Sequence, residues 1–380
     1  MNNPAGKNKI LLVQLFSNGD CLYATTIARQ IKQDYPGCHL TWAVAGFCRN
    51  ILEGNPYIDA ILEIDDVPKN DVVAFRRLKK RLYTEKRNGV WKELFITHIM
   101  DSNQAYYDGC IRTTIFRAYP HTVTIPNTPV LSISEIEKNR VQEFARLHGI
   151  DKYDHVILFE FAPQSGQLPI TKEMALNIAE KLSSNENVAV ILSSAHKIIH
   201  PSKNIIDGSR LTLRETAVLT LYCTLLIGCS SGITWITTSD AAKLLPMIQL
   251  VNPYTDWVNP VSRDFKRFGK STDFIIDIIN FNEQIIVNCV QEAFTDFSNA
   301  KHIYDQVIPL HFKTTRKIVY NLLCYLQFKA IATHIRINRE VYGDNTAFYK
   351  EILIAFIIFP FKLTRNLIMK KLTAPQKKQK

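Results

Sequence analysis

The chain is 380 residues long, which exceeds the usual size of one hydrophobic core and predicts two domains plus an appendage. Hydrophobic residues make up 46% of it, a proportion typical of globular proteins and not of disordered or membrane-embedded ones. The formal net charge of +11 favours phosphate-bearing or anionic-membrane partners. Because residues 1–9 are polar and lack the apolar segment of a secretory signal, we expect a cytoplasmic protein.

Strands and helices alternate through the first half of the sequence. An apolar run over residues 9–16 predicts a buried strand, and the turn-forming residues 17–20 separate it from a predicted helix over 21–35. Residues 39–45, 60–64 and 94–100 predict further strands, and residues 72–83 predict a basic helix. This alternation is typical of a parallel, doubly wound α/β sheet.

The second half repeats the same order. Predicted strands cover residues 155–161, 188–193, 225–228 and 247–250, with helices over 172–184, 213–222 and 233–242 between them. From about residue 284 the pattern is helical alone. We therefore expect an N-terminal Rossmann-like domain over 1–152, a second one over 153–283, and a helical extension over 284–380.

The turn after the first strand is the first candidate site. Ligands of open α/β sheets bind at the carboxyl ends of the strands, and Gly19 there permits close approach of a ligand to the backbone. The carboxylate of Asp20 can then act as a general base. Alternatively, Asp20 only caps the following helix, and the local sequence alone favours this second interpretation.

A second turn, over residues 228–232, also joins a strand to a helix. Its amides and hydroxyls can receive a diphosphate at the positive end of the helix, although a serine N-cap explains the same residues. The loop over 163–167 lies at the end of another predicted strand and can contact a nucleotide from the same side. The residues predicted to bind the nucleotide-sugar are Gly19, Ser165, Gly166, Gln167, Ser230, Ser231, Gly232 and Thr234.

Four stretches, over residues 9–20, 52–59, 211–215 and 225–232, together resemble the heptosyltransferase-like family of glycosyltransferases. The resemblance implies a GT-B fold, in which two Rossmann-like domains face each other across a cleft, and a role in lipopolysaccharide or surface-glycan assembly. It implies that Asp20 matches the family's catalytic base, and that Ser231 and Gly232 match the residues that hold the donor diphosphate. It implies no metal and no cofactor. The chain departs from the family at Ser230 and Trp235, where the family has Asp and His, so the resemblance does not imply the usual ADP-heptose donor.

Two basic segments suggest where an acceptor and a membrane would bind. The first lies in the predicted helix over 72–83, where Arg76, Arg77 and Lys80, together with Asn18, are the predicted acceptor contacts; a solvated helix face is an equal alternative. The second is the tail over 352–380, in which apolar and basic residues alternate as in helices that lie on anionic lipid. Packing of the tail against the chain's own domains is the alternative.

The sequence thus predicts an inverting, metal-independent glycosyltransferase with Asp20 as the base. The expected partners are a nucleotide-sugar donor, a lipopolysaccharide, surface-glycan or lipid-linked acceptor, and an anionic membrane surface, but not nucleic acid. Two alternatives remain open: a nucleotide-sugar 2-epimerase of the same fold, and a catalytically inactive protein that binds the membrane surface.

Overall fold

The computed structural model describes residues 8–161, 170–257 and 260–373, with side chains as far as Phe361. These residues form two compact units. The first unit comprises residues 8–98 and 109–309, and the second comprises residues 99–108 and 310–373.

The first unit contains two sheets, and the first of these has four parallel strands in the order β3-β2-β1-β4. The strands are β1 (Lys9–Val13), β2 (His39–Val44), β3 (Ala60–Glu63) and β4 (Glu93–Ile96). Residues 10–13 of β1 are completely buried, as a central strand covered on both faces should be. The helices around this sheet are α1 (Asn18–Asp34), α2 (Val72–Arg87), α3 (Ile111–Arg117) and α4 (Glu135–His148).

The second sheet has six parallel strands in the order β10-β9-β8-β5-β6-β7. The strands are β5 (His155–Glu160), β6 (Val188–Ser193), β7 (Ile205–Asp207), β8 (Leu225–Gly228), β9 (Met247–Leu250) and β10 (Ile275–Ile278). The helices between and after them are α5 (Lys172–Ser183), α6 (Leu213–Leu219), α7 (Gly232–Ile236), α8 (Val261–Arg267), α9 (Glu283–Thr295) and α10 (Phe297–Tyr304).

The doubly wound α/β architecture expected from the sequence is confirmed, with local differences. The sequence pattern missed β7 and β10, and α1 begins at Asn18 rather than at residue 21. The helices α9 and α10 lie beyond the expected domain boundary at residue 283, yet both contribute buried side chains to the core of the second sheet. The expected boundaries at 152 and 283 stay predictions.

In each sheet the winding of the chain reverses beside its first strand. The chain builds β1, β2 and β3 in one direction and then places β4 on the other side of β1; the second sheet reverses in the same way between β5 and β8. Loops that leave such a pair of strands diverge to opposite faces of the sheet and leave a crevice at the carboxyl ends. The β1/β4 and β5/β8 pairs are therefore the positions at which a ligand is expected.

The second unit is helical and consists of α11 (Lys313–Cys324), α12 (Phe328–Tyr342), α13 (Thr346–Thr373) and a short helical turn over Asp101–Tyr106. The buried ring of His334 lies 3.1 Å from the carbonyl oxygen of Ala105, and Asn338 donates to the carbonyl of Tyr107 at 3.0 Å. These contacts join α12 to the short turn. Within the described residues, no helix combines the length and apolarity that crossing a membrane requires.

Candidate active site

A buried polar network marks the crevice of the first sheet. The hydroxyl of Thr97, after β4, donates to the amide oxygen of Gln14, after β1, at 3.0 Å. The amide nitrogen of Gln14 lies 3.3 Å from Nδ1 of His98, whose ring packs edge-on against Phe16 and Phe75. Burial lowers the pKa of His98 to about 3, so the ring is neutral at physiological pH. The sequence interpretation did not single out this histidine.

Asp20 is the third residue of α1, directly beyond β1. The helix N-cap is Ser17, which reaches this position with a φ of 69°, a conformation that costs energy for a residue other than glycine. Within the described residues, the carboxylate of Asp20 makes no hydrogen bond. The interpretation of Asp20 as a helix cap is therefore wrong, because Ser17 occupies the N-cap position and the Asp20 side chain satisfies no helical amide.

The surroundings of Asp20 change its acidity. Burial raises the pKa of the Asp20 carboxyl from 3.8 to about 7, and the positive charge of Lys69, in the loop before α2, opposes this rise. The side chain nevertheless keeps part of its surface exposed. A carboxylate with a pKa near neutrality, no committed hydrogen bond and access from solvent has the properties of a general base.

The two turns predicted from separate halves of the sequence meet in the structure. A methyl group added at Gly19 would lie 3.5 Å from Cδ1 of Trp235 in α7. The rings of Tyr23 and Trp235 stack edge-on with their centroids 4.9 Å apart. Trp235 in turn donates from its indole nitrogen to the carbonyl of Ser230 at 3.0 Å. Trp235 thus contacts both turns and joins them.

A buried glutamate organises the second turn. Glu160 is the last residue of β5 and is 2% exposed. Its carboxylate accepts from the amides of Cys229, Ile233 and Thr234 at 3.2–3.3 Å and from the hydroxyl of Thr234 at 2.7 Å. The hydroxyl of Ser231 donates to it as well. Glu160 therefore does the work of an N-cap for α7, although it lies about 70 residues away in the sequence.

This arrangement decides which groups of the turn remain for a ligand. Within the described residues no hydrogen bond is found for the amide of Gly232, and the space beside Gly232 is open. The amide of Ser231 interacts with the thiol of Cys229. Thr234 is completely buried and both its amide and its hydroxyl bond to Glu160. In this structure Thr234 stabilises the turn itself, and its contact with the nucleotide-sugar stays a prediction.

Ser230 is held in an unusual backbone conformation. Its φ is 56°, and its amide and hydroxyl both donate to the side-chain oxygen of the buried Gln249, at 3.0 and 3.3 Å. These bonds offset the cost of a left-handed serine. The loop that carries Ser165, Gly166 and Gln167 lies outside the described residues.

The predicted acceptor contacts are placed in two locations. Asn18 begins α1, and its side-chain oxygen is buried with no hydrogen-bond partner among the described residues. Arg77 and Lys80 are exposed on α2, and Arg76 is half-buried there. Farther along α2, an open depression of about 560 Å³ is lined by Lys80, Tyr83, Lys86 and Arg87. The charge that acts on Asp20 comes from Lys69 and not from these cations.

Two buried arginines join the sheets, and sequence inspection assigned neither of them a role. Arg112 in α3 pairs with Asp264 in α8 at 2.7 Å, and both side chains are fully buried. Its guanidinium lies 4.8 Å from the ring centre of Tyr23 and 5.9 Å from that of Trp235. The ion pair thus lies behind the contact between the two turns and holds it in place.

The second arginine, Arg214, joins two stretches that are far apart in the sequence. Arg214, in the stretch over 211–215, donates at 3.0 Å to the carbonyl of Asn50, just before the stretch over 52–59, and at 2.9 Å to that of Glu53 within it. It also pairs with Glu137 at 2.5 Å and thereby lowers the pKa of that carboxyl to about 2. The helix of Arg214 begins with a capping box formed by Thr212 and Glu215.

Comparison with solved structures identifies the fold. A glycosyl transferase family 9 protein from Veillonella parvula superposes with a TM-score of 0.53 at 15% identity, over 76% of this chain and 97% of that one. The chain has the GT-B fold. This confirms the fold that the resemblance implied, and at this identity the likeness shows the fold alone.

Two other solved structures are similar at lower TM-scores. One is the E. coli heptosyltransferase WaaC with ADP, with a TM-score of 0.42 and 14% identity over 78% of this chain and 100% of that one. The other is a UDP-GlcNAc 2-epimerase from Neisseria meningitidis bound to UDP-GlcNAc, with a TM-score of 0.42 and 13% identity over 83% and 100%. No family model matches the chain, and no curated protein sequence matches it.

Proposed function

We propose that this GT-B protein is a metal-independent glycosyltransferase that moves a sugar from a nucleotide-sugar to a hydroxyl of an acceptor glycan. The observation that carries the proposal is Asp20, an uncommitted carboxylate at the carboxyl end of β1 with a pKa raised to about 7. Buried carboxyls that do only structural work usually accept several hydrogen bonds, as Glu160 does. Burial of Asp20 costs free energy that no hydrogen bond offsets, and such an environment is typical of a catalytic group.

The reaction needs one base and one group of donors for the leaving diphosphate. The Asp20 carboxylate takes the proton of the acceptor hydroxyl while the hydroxyl oxygen forms a bond to the anomeric carbon. The bond from that carbon to the donor phosphate oxygen breaks, and the nucleoside diphosphate leaves with the electron pair. Attack from the face opposite the leaving group inverts the anomeric configuration.

Fewer groups of the second turn can bind the donor diphosphate than the sequence suggested. Glu160 already occupies the amides of Ile233 and Thr234, and its negative charge opposes an anion placed deep against α7. A diphosphate would therefore bind at the outer end of the turn, at the amide of Gly232 and beside Ser231, and this amide stabilises the charge that develops on it. Ser165, Gly166 and Gln167 remain proposed donor contacts on the sequence alone.

On the acceptor side, Asn18 supports the proposal most directly. Its buried side-chain oxygen receives no hydrogen bond from the described residues. Because Asn18 stands two residues before Asp20, a hydroxyl of the acceptor glycan can donate to this oxygen. Arg76, Arg77 and Lys80 stay proposed contacts for phosphates on a lipopolysaccharide, surface-glycan or lipid-linked acceptor. A cytoplasmic location and an anionic membrane partner also belong to the proposal.

A panel of nucleotide-sugars tests this function by thermal shift and by turnover with glycan acceptors. The wild type is compared with Asp20→Asn and with Asp151→Asn, an exposed aspartate outside the site that serves as the matched control. We expect Asp20→Asn to keep donor binding and to lose transfer, while Asp151→Asn keeps both. Transfer that survives in Asp20→Asn would refute the role of Asp20. Conversion of the sugar without an acceptor would support the 2-epimerase, and no binding of any nucleotide-sugar would support the inactive protein.

A further inference from the structure

The outward face of α13 is apolar where a surface helix should be polar. Its large exposed side chains occur at positions i, i+3, i+4 and i+8, which lie on one face of a helix. These side chains are Leu353 (61% exposed), Phe356 (44%), Ile357 (54%) and Phe361 (73%). We call them the α13 stripe.

The opposite face of α13 already forms the core of the second unit. Phe348, Ile352 and Ala355 are buried, and Glu351 at the edge of this face pairs with Arg316 of α11 at 2.5 Å. The α13 stripe is therefore not needed to hold the helix to its own unit. The outward face begins with the exposed polar residue Lys350 and becomes apolar within one turn of it, so the stripe is a local feature and not a general property of the helix.

The charge of the tail distinguishes between two possible partners of the stripe. No Asp or Glu follows Glu351, whereas the chain from residue 362 onward carries seven Lys and Arg residues. A second copy of the chain packed on the stripe with its tail alongside would bring two such basic segments together, and their repulsion opposes that contact. An anionic lipid surface accepts both features, since apolar side chains enter the acyl boundary while Lys and Arg meet the headgroups.

We propose that the α13 stripe docks the protein on a bilayer that contains anionic lipid, with α13 lying in the plane of the interface. The apolar run over residues 352–361 is ten residues long, about half of what a spanning helix needs, and a helix that lies flat buries only one face. This docking rests on the anionic membrane partner of the proposed function and names the surface that binds it, and its test requires no knowledge of the donor or the acceptor.

Sedimentation of the full chain with vesicles tests the docking. Vesicles of phosphatidylcholine alone are compared with vesicles of phosphatidylcholine and phosphatidylglycerol in equal parts. The stripe variant carries Phe356→Gln, Ile357→Gln and Phe361→Gln, which change exposed side chains only. The matched control carries Ile136→Gln and Leu147→Gln on α4, two residues that are 66% and 67% exposed.

The wild type and the control should bind the anionic vesicles and release them as salt rises from about 0.05 M to about 0.5 M. We expect the stripe variant to bind at least about tenfold more weakly, because it loses apolar side chains from the interface. Equal binding of the stripe variant and the control, or no binding of the wild type to anionic vesicles, would overturn the proposal. So would a wild-type dimer in equilibrium sedimentation that the stripe substitutions dissociate, since the stripe would then contact a second copy.

Discussion

The burial of Asp20 makes a prediction about stability that requires no substrate. The pKa of Asp20 in the folded protein, about 7, lies above the ordinary value of 3.8, so the folded chain keeps a proton that the unfolded chain releases between these pH values. Stability therefore falls as pH rises from about 4 to about 7. A shift of about 3 pH units corresponds to at most about 4 kcal/mol. Because Asp20 keeps part of its surface exposed, we expect a cost of about 1–3 kcal/mol.

Asp20→Asn removes this cost, since the amide does not titrate. The free energy of unfolding of Asp20→Asn and of the wild type, measured by urea denaturation from pH 4 to pH 8, should diverge as pH rises, and the variant should be the more stable protein at pH 8. Asp151→Asn should follow the wild type throughout. A variant that is less stable at pH 8, or a difference that does not change with pH, would refute the raised pKa.

Three further predictions concern the residues that shape the site. Glu160→Gln puts an N–H group where the amides of the turn need a hydrogen-bond acceptor. In steady-state kinetics it should therefore raise the KM for the nucleotide-sugar more than it lowers kcat. An unchanged KM would contradict the role given to Glu160. Arg214→Ala should cost about 3 kcal/mol from the Glu137 ion pair in urea denaturation at pH 7, because it frees a Glu137 carboxyl whose pKa is held at about 2. This part of the cost should be lost as pH falls from about 4 to about 2, while the part from the carbonyls of Asn50 and Glu53 remains; a total cost independent of pH would count against the ion pair. Gly228→Ala places a methyl group 2.6 Å from the side-chain nitrogen of Gln249 and should destabilise the protein by about 1–3 kcal/mol in the same assay; a neutral effect would show that the turn can relax.

Most strands and helices of the fold could be predicted from the local pattern of apolar residues in the sequence. The central strands β1, β2, β5 and β6 are continuous apolar runs of strand length, and such runs are recognisable without knowledge of their neighbours. The strands that the sequence interpretation missed are short: β7 spans Ile205–Asp207 and β10 spans Ile275–Ile278. Each segment contains an aspartate, which shortens its apolar run. The strands are recognisable only from their pairing with β6 and β9 in the structure.

The site was harder to predict because its contacts join distant parts of the chain. Nothing near Thr234 in the sequence indicates that its hydroxyl is committed, since the acceptor, Glu160, lies on another strand. One signal was available: Glu160 is a charged residue within the apolar run of β5, and a buried charge requires partners. The ion pair of Arg112 with Asp264 gives no comparable signal, because both residues belong to short helices of mixed composition.

The most direct test of the central claim is the pH dependence of kcat/KM for glycosyl transfer, which reports the ionisation of the free enzyme. For the wild type, kcat/KM should rise about tenfold per pH unit well below pH 7 and level off above it, following the pKa of about 7 of Asp20. In Asp20→Asn the rate should fall by about 10²–10⁴-fold and lose this inflection. An inflection near pH 7 that persists in Asp20→Asn would show that another group is the base and would contradict the account.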